Sequence, residues 1–391
     1  MKIKIAYCIP GLYYPSGMER VLSLKANYLA AQNDKYEIYI ILTEGREKPP
    51  YYPLSPKIQL IQLAVNFDDL YTVSPLKKIT GYFQKQKLFR NRLTECLNRI
   101  QPDITISLLR RDINFINKIN DGSIKLGEIH FSRANYRDFK NNHFPTFIQN
   151  IVAKYWTQQL IRELKKLKYF IVLSEEDKAK WTELNNVSVI YNPLSFFPET
   201  TSSCENKKVI AVGRYMPQKG FDMLIDCWKI VSEKHPDWTL SIYGDGMREE
   251  LQAQIDRLNL QDSCKLEHSV ANITEKYLES SIFVLSSRYE GFGMVIIEAM
   301  ACGLPPVAFS CPCGPRDIIQ DGTDGLLVDN GDISQLATKI CYLIEHQNKR
   351  KYMGQAARKH VERFKIENIG PQWEKLFEDV LKHKTPENPH C

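Results

Sequence analysis

The chain has 391 residues, of which 43% are hydrophobic and 25% are charged. This composition is typical of a globular protein and excludes a disordered chain, a collagen and a coiled coil. The length suits two domains better than one. No stretch reaches the ~18–20 uninterrupted apolar residues that cross a bilayer, and the N-terminus lacks a signal-peptide pattern, so we expect a cytoplasmic protein.

The formal net charge of +6 conceals an asymmetry, because residues 1–195 carry +11 and residues 196–391 carry −5. The most basic segment runs from Lys77 to Arg99, and its apolar residues recur at helical spacing, which predicts an amphipathic helix. Two interpretations stay open: the helix only packs on a sheet, or it also attracts anionic lipid headgroups at a membrane surface. No nucleic-acid-binding motif accompanies it, so we expect no nucleic acid partner.

The ten cysteines are scattered through the chain, mostly within apolar segments. Cys311 and Cys313 form the one close pair, and no second pair stands at zinc-ligand spacing. We therefore expect reduced thiols and no metal site.

Strand and helix patterns alternate along the chain, which predicts parallel sheets covered by helices on both faces. In chain order, strands are predicted at residues 2–9, 36–43, 58–63, 104–108, 125–130, 170–173 and 187–193. A linker rich in Ser, Thr, Pro and Glu follows, and strands resume at residues 208–213, 240–243, 282–286, 306–309 and 325–328. The fold expected is α/β, with two doubly wound, Rossmann-like domains, 1–195 and 196–370, facing a central cleft. A C-terminal helix at about 371–391 would pack back onto the first domain, with a frayed tail from Thr385.

The first candidate site follows the strand at residues 208–213. Gly213 and Gly220 permit tight turns there, and Arg214 and Lys219 supply a bidentate fork and a point charge, which together suit a diphosphate. Ligands of doubly wound sheets bind beyond the carboxyl ends of the strands. Taken alone, the segment is equally well interpreted as an exposed basic loop.

A second candidate site follows the strand at residues 282–286. Glu290 lies in a loop, Gly291 and Gly293 begin a helix whose free N–H groups suit an anion, and Gly303 ends it. If this helix included both acids, Glu298 would lie ~12 Å from Glu290, a separation that suits the two ends of a sugar nucleotide. Glu298 either binds ribose hydroxyls or caps a neighbouring backbone group, and the cost of burying an unpaired acid favours a ligand.

The first predicted strand leads into a third segment, from Pro10 to Arg20. Ser16 with Glu19 three residues later has the pattern of a capping box, so we expect a helix to start here. The first amides of that helix would point into the cleft.

Together these motifs resemble the family-4 retaining glycosyltransferases of the GT-B fold, over nearly the whole chain. The resemblance is most specific in Gly213-Arg214-x-x-x-Gln218-Lys219-Gly220 and in the segment from Glu290 to Glu298. The segments 288–292 and 313–319 are especially similar to members that build bacterial surface polysaccharides, such as capsule, exopolysaccharide and lipopolysaccharide O-antigen. The resemblance implies transfer of a hexose from a nucleotide diphosphate sugar, a UDP-sugar, to a glycan or lipid-linked glycan.

The resemblance also implies residue roles. Arg214 and Lys219 would hold the donor diphosphate, Glu290 would contact the transferred sugar and the positive charge that develops on it, and Glu298 would bind the ribose. Because no Asp-x-Asp follows a strand, the two cations would replace a metal, and no cofactor is implied.

Further implied contacts come from the backbone and from the first half of the chain. Amides of Phe292, Gly293 and Met294 would touch sugar and phosphate, and the loop that carries Gly17 would close over the phosphates. His130 matches the family's histidine near the sugar. The family retains the anomeric configuration, usually explained by a front-face mechanism.

Two departures from the family pattern stand out. Ser16-Gly17 replaces a common Gly-Gly, and the segment from Lys265 to Val270 lacks the glycine that many members have near His268. Because that segment would flank the base, the nucleotide is less defined than the diphosphate.

Two other functions stay open from the sequence. A nucleotide-sugar epimerase of the same fold would release product without an acceptor, and a non-catalytic nucleotide-sugar-binding subunit would support a partner enzyme. The presence of Glu290, Arg214 and Lys219 is evidence against a non-catalytic subunit, because a protein without activity need not keep them.

Overall fold

The chain divides into two compact units, which the computed structural model describes for residues 2–32, 35–45, 48–72, 74–133 and 146–382. Unit 1 comprises Met1–Pro193 together with the chain from Ile366 onward, and unit 2 comprises Leu194–Lys365. The predicted boundary after residue 195 lies two residues beyond this division. Over the described ranges, none of the helices combines the length and apolar character that a bilayer-spanning segment needs.

Unit 1 is built on a parallel sheet in the order β3-β2-β1-β4-β5-β6-β7. Its central strands are almost entirely buried, as expected for a parallel sheet with helices on both faces. The strands are β1 Ile3–Ile9, β2 Tyr36–Leu42, β3 Gln59–Gln62, β4 Ile104–Ser107, β5 Ile124–Glu128, β6 Tyr169–Val172 and β7 Val187–Val189. The helices before the division are α1 Gly17–Ala31, α2 Pro75–Ile100, α3 Thr146–Leu164 and α4 Glu175–Lys180.

Unit 2 repeats this architecture with a parallel sheet in the order β10-β9-β8-β11-β12-β13. The strands are β8 Lys208–Val212, β9 Thr239–Tyr243, β10 Cys264–Glu267, β11 Ile282–Leu285, β12 Pro306–Phe309 and β13 Leu326–Val328. The helices are α5 Phe221–Lys234, α6 Arg248–Arg257, α7 Ile273–Leu278, α8 Met294–Ala301, α9 Pro315–Ile318, α10 Ile333–Glu345 and α11 Gln347–His360. The predicted parallel α/β fold is confirmed in both units.

The last helix, α12 (Ile366–Lys382), returns the chain to unit 1. Its apolar stripe, including Trp373 and Phe377, is buried, and Glu374 accepts hydrogen bonds from Tyr28 Oη of α1 at 2.8 Å and from Lys35 Nζ at 2.5 Å. The helix begins earlier than predicted because burial of this stripe outweighs the interior proline. The predicted tail from Thr385 lies outside the described residues.

One local prediction was wrong, and one strand was missed. Ser16 is the N-cap residue of α1, but its side chain makes no capping hydrogen bond and Glu19 is buried, so the capping box does not form. The strand β10 was not predicted, because it is short and alternates charged with apolar residues at the edge of the sheet.

Both sheets reverse their strand order at one point, between β1 and β4 in unit 1 and between β8 and β11 in unit 2. Connections on either side of such a reversal leave in opposite directions, which opens a crevice at the carboxyl ends of the two strands. We therefore expect ligands at these two points.

The end of α8 is packed closely against α11 in unit 2. Gly303 follows α8 with a φ of +77°, and a Cβ on Gly354 of α11 would come within 2.2 Å of the Gly303 carbonyl oxygen. Only glycine therefore permits this approach.

We expect Gly354→Ala to lower the free energy of unfolding by about 1–3 kcal/mol, because backbone atoms must move to admit the methyl group. The measurement is urea unfolding followed by circular dichroism. Gln355→Ala, an exposed change on the same helix, is the control and should leave stability nearly unchanged. An unchanged midpoint for Gly354→Ala would contradict the packing described.

Candidate active site

The first two candidate sites, both in unit 2, follow the adjacent strands at which the sheet reverses. Arg214 and Lys219 lie in the loop after β8, and Glu290 lies in the loop after β11. The sequence predicted each loop, but not that the two strands pair directly, in the register Ile282 to Val209. Strand pairing therefore brings the two motifs together.

The ion pair between Lys219 and Glu290 joins these loops. Lys219 Nζ lies 2.7 Å from Glu290 Oε1, and their side chains are 16% and 7% exposed. Ser287 Oγ donates to the same carboxylate oxygen at 2.6 Å. The cation and the acid therefore share one partly enclosed position.

The backbone around Lys219 requires glycine. Gly220 has a φ of +62°, and a Cβ there would lie 2.1 Å from the carbonyl oxygen of Ser286. Ser286 Oγ donates to the Lys219 carbonyl oxygen at 2.9 Å, and the Lys219 side chain passes over Gly213. The two loops thus approach closely enough to fix the course of Lys219.

A second ion pair, which sequence reasoning missed, holds the same loops from outside. Arg288 donates to both carboxylate oxygens of Asp222, at 2.8 and 2.6 Å, and to the Pro217 carbonyl oxygen at 2.7 Å. This bidentate contact lowers the pKa of Asp222. Arg288 stands in the quoted segment 288–292 and Asp222 follows the Gly213–Gly220 motif by two residues, but nothing in their spacing pairs them.

Arg214 differs from its neighbours in the loop. It is exposed, and no described residue engages it through a hydrogen bond or ion pair. An exposed guanidinium in the same loop as Lys219, with no partner among the described residues, leaves its donors available to an anion.

The start of α8 is shaped by two glycines. Gly293 is its N-cap residue with a φ of +100°, and a Cβ on Gly314, whose φ is +114°, would lie 1.8 Å from the Phe292 carbonyl oxygen. The Phe292 ring is buried against Phe364, with ring centroids 5.6 Å apart. The Phe292 side chain is thus structural, so any ligand contact at this position must come from the backbone, as it would at Met294, the first residue of α8.

Glu298 lies in α8, whereas Glu290 lies in the loop before it. Glu290 lies in the loop, as the sequence predicted, and the helix begins at Met294, so the rise of one helix does not set the separation of the two acids. The Glu298 side chain is buried, and its Oε1 accepts a hydrogen bond from Ser195 Oγ at 2.8 Å. The buried acid thus has a protein partner, which the sequence did not reveal.

In unit 1, the predicted residues lie at the carboxyl edge of the sheet. Gly17 is the first residue of α1, is exposed, and has open space where a Cβ would be. His130 lies two residues beyond the end of β5, with its side chain 5% exposed and its Nε2 3.2 Å from Glu128 Oε1. The predicted strand ending at His130 stops at Glu128, so His130 belongs to a loop.

Unit 1 also contains a cavity of about 630 Å³ that the sequence did not predict. It lies beside the loop after β1, and Phe131, the neighbour of His130, contributes to its wall. Aromatic and charged side chains line it, including Tyr13, Tyr14, Tyr71, Tyr82, Phe131, Trp156, Glu19, Glu44, Asp68, Arg110 and Arg111. Burial raises the pKa of the Glu44 carboxyl.

The chain is similar to known proteins in both sequence and structure. The family described as "Glycosyl transferases group 1" matches residues 195–360, which lie within unit 2. The amylovoran biosynthesis glycosyltransferase AmsD of Erwinia amylovora is 34% identical over 390 residues, covering 96% of this chain and 99% of the relative.

Solved structures share the fold. Sucrose-phosphate synthase from Thermosynechococcus elongatus superposes with a TM-score of 0.80 at 18% identity, covering 98% of this chain and 100% of that chain. TarM of Staphylococcus aureus, in a complex with UDP, superposes with a TM-score of 0.75 at 17% identity, covering 96% and 100%. The two Rossmann-like units are thus of the GT-B type, and with the match to AmsD over nearly its full length, the chain belongs to the group 1 glycosyltransferases.

Proposed function

We propose that this glycosyltransferase moves a hexose from a UDP-sugar to a glycan hydroxyl with retention of configuration, in the synthesis of a bacterial surface polysaccharide. The observation that carries the proposal is the Lys219–Glu290 ion pair at the reversal of strand order in unit 2, in the same loop as Arg214, which is exposed and has no partner among the described residues. A diphosphate needs two cations of this kind, and a transferred sugar needs an acid next to them.

The proposed reaction exchanges one bond at the anomeric carbon for another. The bond from this carbon to the diphosphate oxygen breaks, the acceptor oxygen bonds to the same face, and the acceptor proton passes to the departing phosphate oxygen. Arg214 and Lys219 offset the negative charge that grows on the leaving group. Glu290 stabilises the positive charge that develops on the sugar, and His130 contacts the sugar.

The nucleotide would be held by unit 2 as well. Glu298 is proposed to accept from the ribose hydroxyls, with Ser195 orienting its carboxylate. Amides of Phe292, Gly293 and Met294 would bind the phosphates, and the loop with Gly17 would cover them. A uridine donor is supported by the UDP in the TarM complex. Surface-polysaccharide synthesis is supported by the name of AmsD, a protein of amylovoran biosynthesis.

The acceptor is proposed to bind unit 1. The cavity there combines flat aromatic walls with a few charged groups, the lining expected of a site for a small polar ligand. A lipid-linked glycan is favoured because the cavity adjoins α2, the helix proposed below to approach a membrane. Tyr71 lines the cavity, and Lys78 Nζ of α2 lies 5.5 Å from its ring centroid.

We expect Glu290→Gln to lower kcat by about 10²–10³-fold, because the charge that stabilises the transition state is lost while the side chain keeps its shape. The measurement is UDP release from a panel of UDP-hexoses with glycan acceptors, and donor binding by calorimetry should be largely kept. Glu249→Gln, an exposed change on α6, is the control.

Full turnover by Glu290→Gln would contradict the assigned role. Conversion of the donor without acceptor would instead identify an epimerase. Donor binding without any turnover by the unmodified chain would identify a non-catalytic subunit.

We expect the enzyme to work without a divalent cation, because Arg214 and Lys219 supply the positive charge that a metal provides elsewhere. Transfer should therefore be unchanged after dialysis against EDTA. In the same assay, Arg214→Ala should weaken donor binding about tenfold or more, since a charged hydrogen bond contributes ~1.5–3 kcal/mol. A loss in EDTA that Mg²⁺ restores would contradict the proposal.

The helix α2 is proposed to approach an anionic membrane surface through its exposed residues between Lys77 and Arg90. Lys77 and Lys78 are exposed there, together with Ile79 (59%) and Phe83 (68%), as in helices that lie in a lipid interface. Two other cations of this helix have structural roles: Lys85 Nζ donates at 2.7 Å to the carbonyl oxygens of Val65 and Asn66, and Arg92 donates at 2.6 and 3.0 Å to those of Leu63 and Ala64.

We expect replacement of Lys77, Lys78, Lys87 and Arg90 by Glu to abolish sedimentation with phosphatidylglycerol vesicles, because each basic residue near such a surface contributes ~1 kcal/mol. The matched control replaces four exposed lysines elsewhere in unit 1, Lys118, Lys154, Lys165 and Lys168, by Glu. Equal binding by the two variants would show that α2 has no special role.

A further inference from the structure

Unit 1 buries an ion pair that the proposed reaction does not use. Lys25 of α1 donates a hydrogen bond from Nζ to Glu128 Oε2, at the end of β5, and both side chains are only 1% exposed. Two aromatic rings enclose the ammonium group: its Nζ lies 3.8 Å from the ring centroid of Trp373 in α12 and 4.9 Å from that of Tyr7 in β1. The ammonium group of Lys25, on α1, is thus contacted by residues of β1, β5 and α12.

Such a pair is poorly explained by stability. Removing two charges from water is costly, and well-packed apolar residues of similar volume commonly stabilise a protein as well or better. Burial lowers the pKa of Lys25, and Glu128 opposes that fall. Burial would likewise raise the pKa of Glu128, but Lys25 and His130 together lower it to about 2. Lys25 and His130 thus favour the ionised form of the Glu128 carboxyl.

The two oxygens of Glu128 face different partners. Oε2 is bound by Lys25, whereas Oε1 lies 3.2 Å from His130 Nε2, an ion-pair distance rather than a well-aligned hydrogen bond. An anion beside Nε2 favours the ring form that carries a proton on this nitrogen. In the neutral ring Nδ1 is then an acceptor, which is the nitrogen left for a hydroxyl donor of a ligand.

We propose that Lys25 and Glu128 are positioning residues for His130: Lys25 anchors the carboxylate of Glu128, and that carboxylate fixes the orientation and tautomer of the imidazole. The inference rests on the proposed contact between His130 and the transferred sugar. Because Trp373 of α12 contacts Lys25, the C-terminal helix also helps to position His130 in the loop after β5. Support of this kind, an acid that orients a histidine, is common where the histidine works on a ligand.

The first test determines the tautomer of His130 by NMR and needs no activity assay. The full chain is labelled with ¹⁵N-histidine, and the His130 ring signals are assigned as those missing in His130→Gln. We expect the Nε2–H form in the unmodified protein and a shift away from it in the double variant Lys25→Met/Glu128→Gln. That variant removes both charges together, so no unpaired charge stays buried. Glu163→Gln, a buried carboxylate of the same unit that pairs with Lys166 and Asn117, is the control and should leave the signals unchanged.

The second test measures by kcat whether Lys25 and Glu128 act through His130. We expect the double variant to lose about 10²-fold in kcat with little change in the donor KM, because a small displacement of a group that contacts the reacting sugar has effects of this size. Added to His130→Gln, the same double variant should cause no further loss, since residues that act through one another are not additive.

The outcomes separate this inference from the proposed function. An Nδ1–H tautomer in the unmodified protein overturns the inference whether or not the variants fold. An equal loss of kcat with and without His130 also overturns it, because Glu128 would then act through the fold in general. Absence of turnover with every donor would contradict the proposed function, while the tautomer of His130 would still decide the inference.

Discussion

The contact between Lys219 and Glu290 joins the two loops that form the proposed donor site of unit 2. It exists because β8 and β11 pair directly at the reversal of strand order, so the loops that follow them must meet. Gly220 permits the close approach of these loops, and the Arg288–Asp222 pair holds them from outside. A cation and an acid are thereby fixed next to each other before any ligand binds, which is the preorganisation that charge stabilisation requires.

In unit 1 only the loop after β1 borders the reversal of strand order, whereas His130 follows β5, the strand next to β4. Gly17 and His130 both lie at the carboxyl edge of its sheet, after β1 and β5. The proposed support of His130 is the buried Lys25–Glu128 pair, and Trp373 of α12 packs against Lys25. The C-terminal helix thus takes part in the construction of a candidate site far from it in sequence.

Much of this could be predicted from local sequence patterns. Strand and helix alternation predicted both parallel sheets, because fully buried strands such as β4 and β12 are continuous apolar runs. Gly213, Lys219 and Glu290 were identified because their motifs are specific to a family. The edge strand β10 and the absence of a capping bond at Ser16 escaped prediction, since short alternating segments and common capping patterns are weak signals.

Periodicity and short motifs were enough to predict the fold class, the division into two units and the residue types of the candidate donor site. Which of those residues meet could be read only from the folded chain. The partners of Glu298, Asp222 and Lys25 are Ser195, Arg288 and Glu128, each distant in sequence. Such contacts follow from strand order and helix packing, which are properties of the whole chain that no local segment encodes.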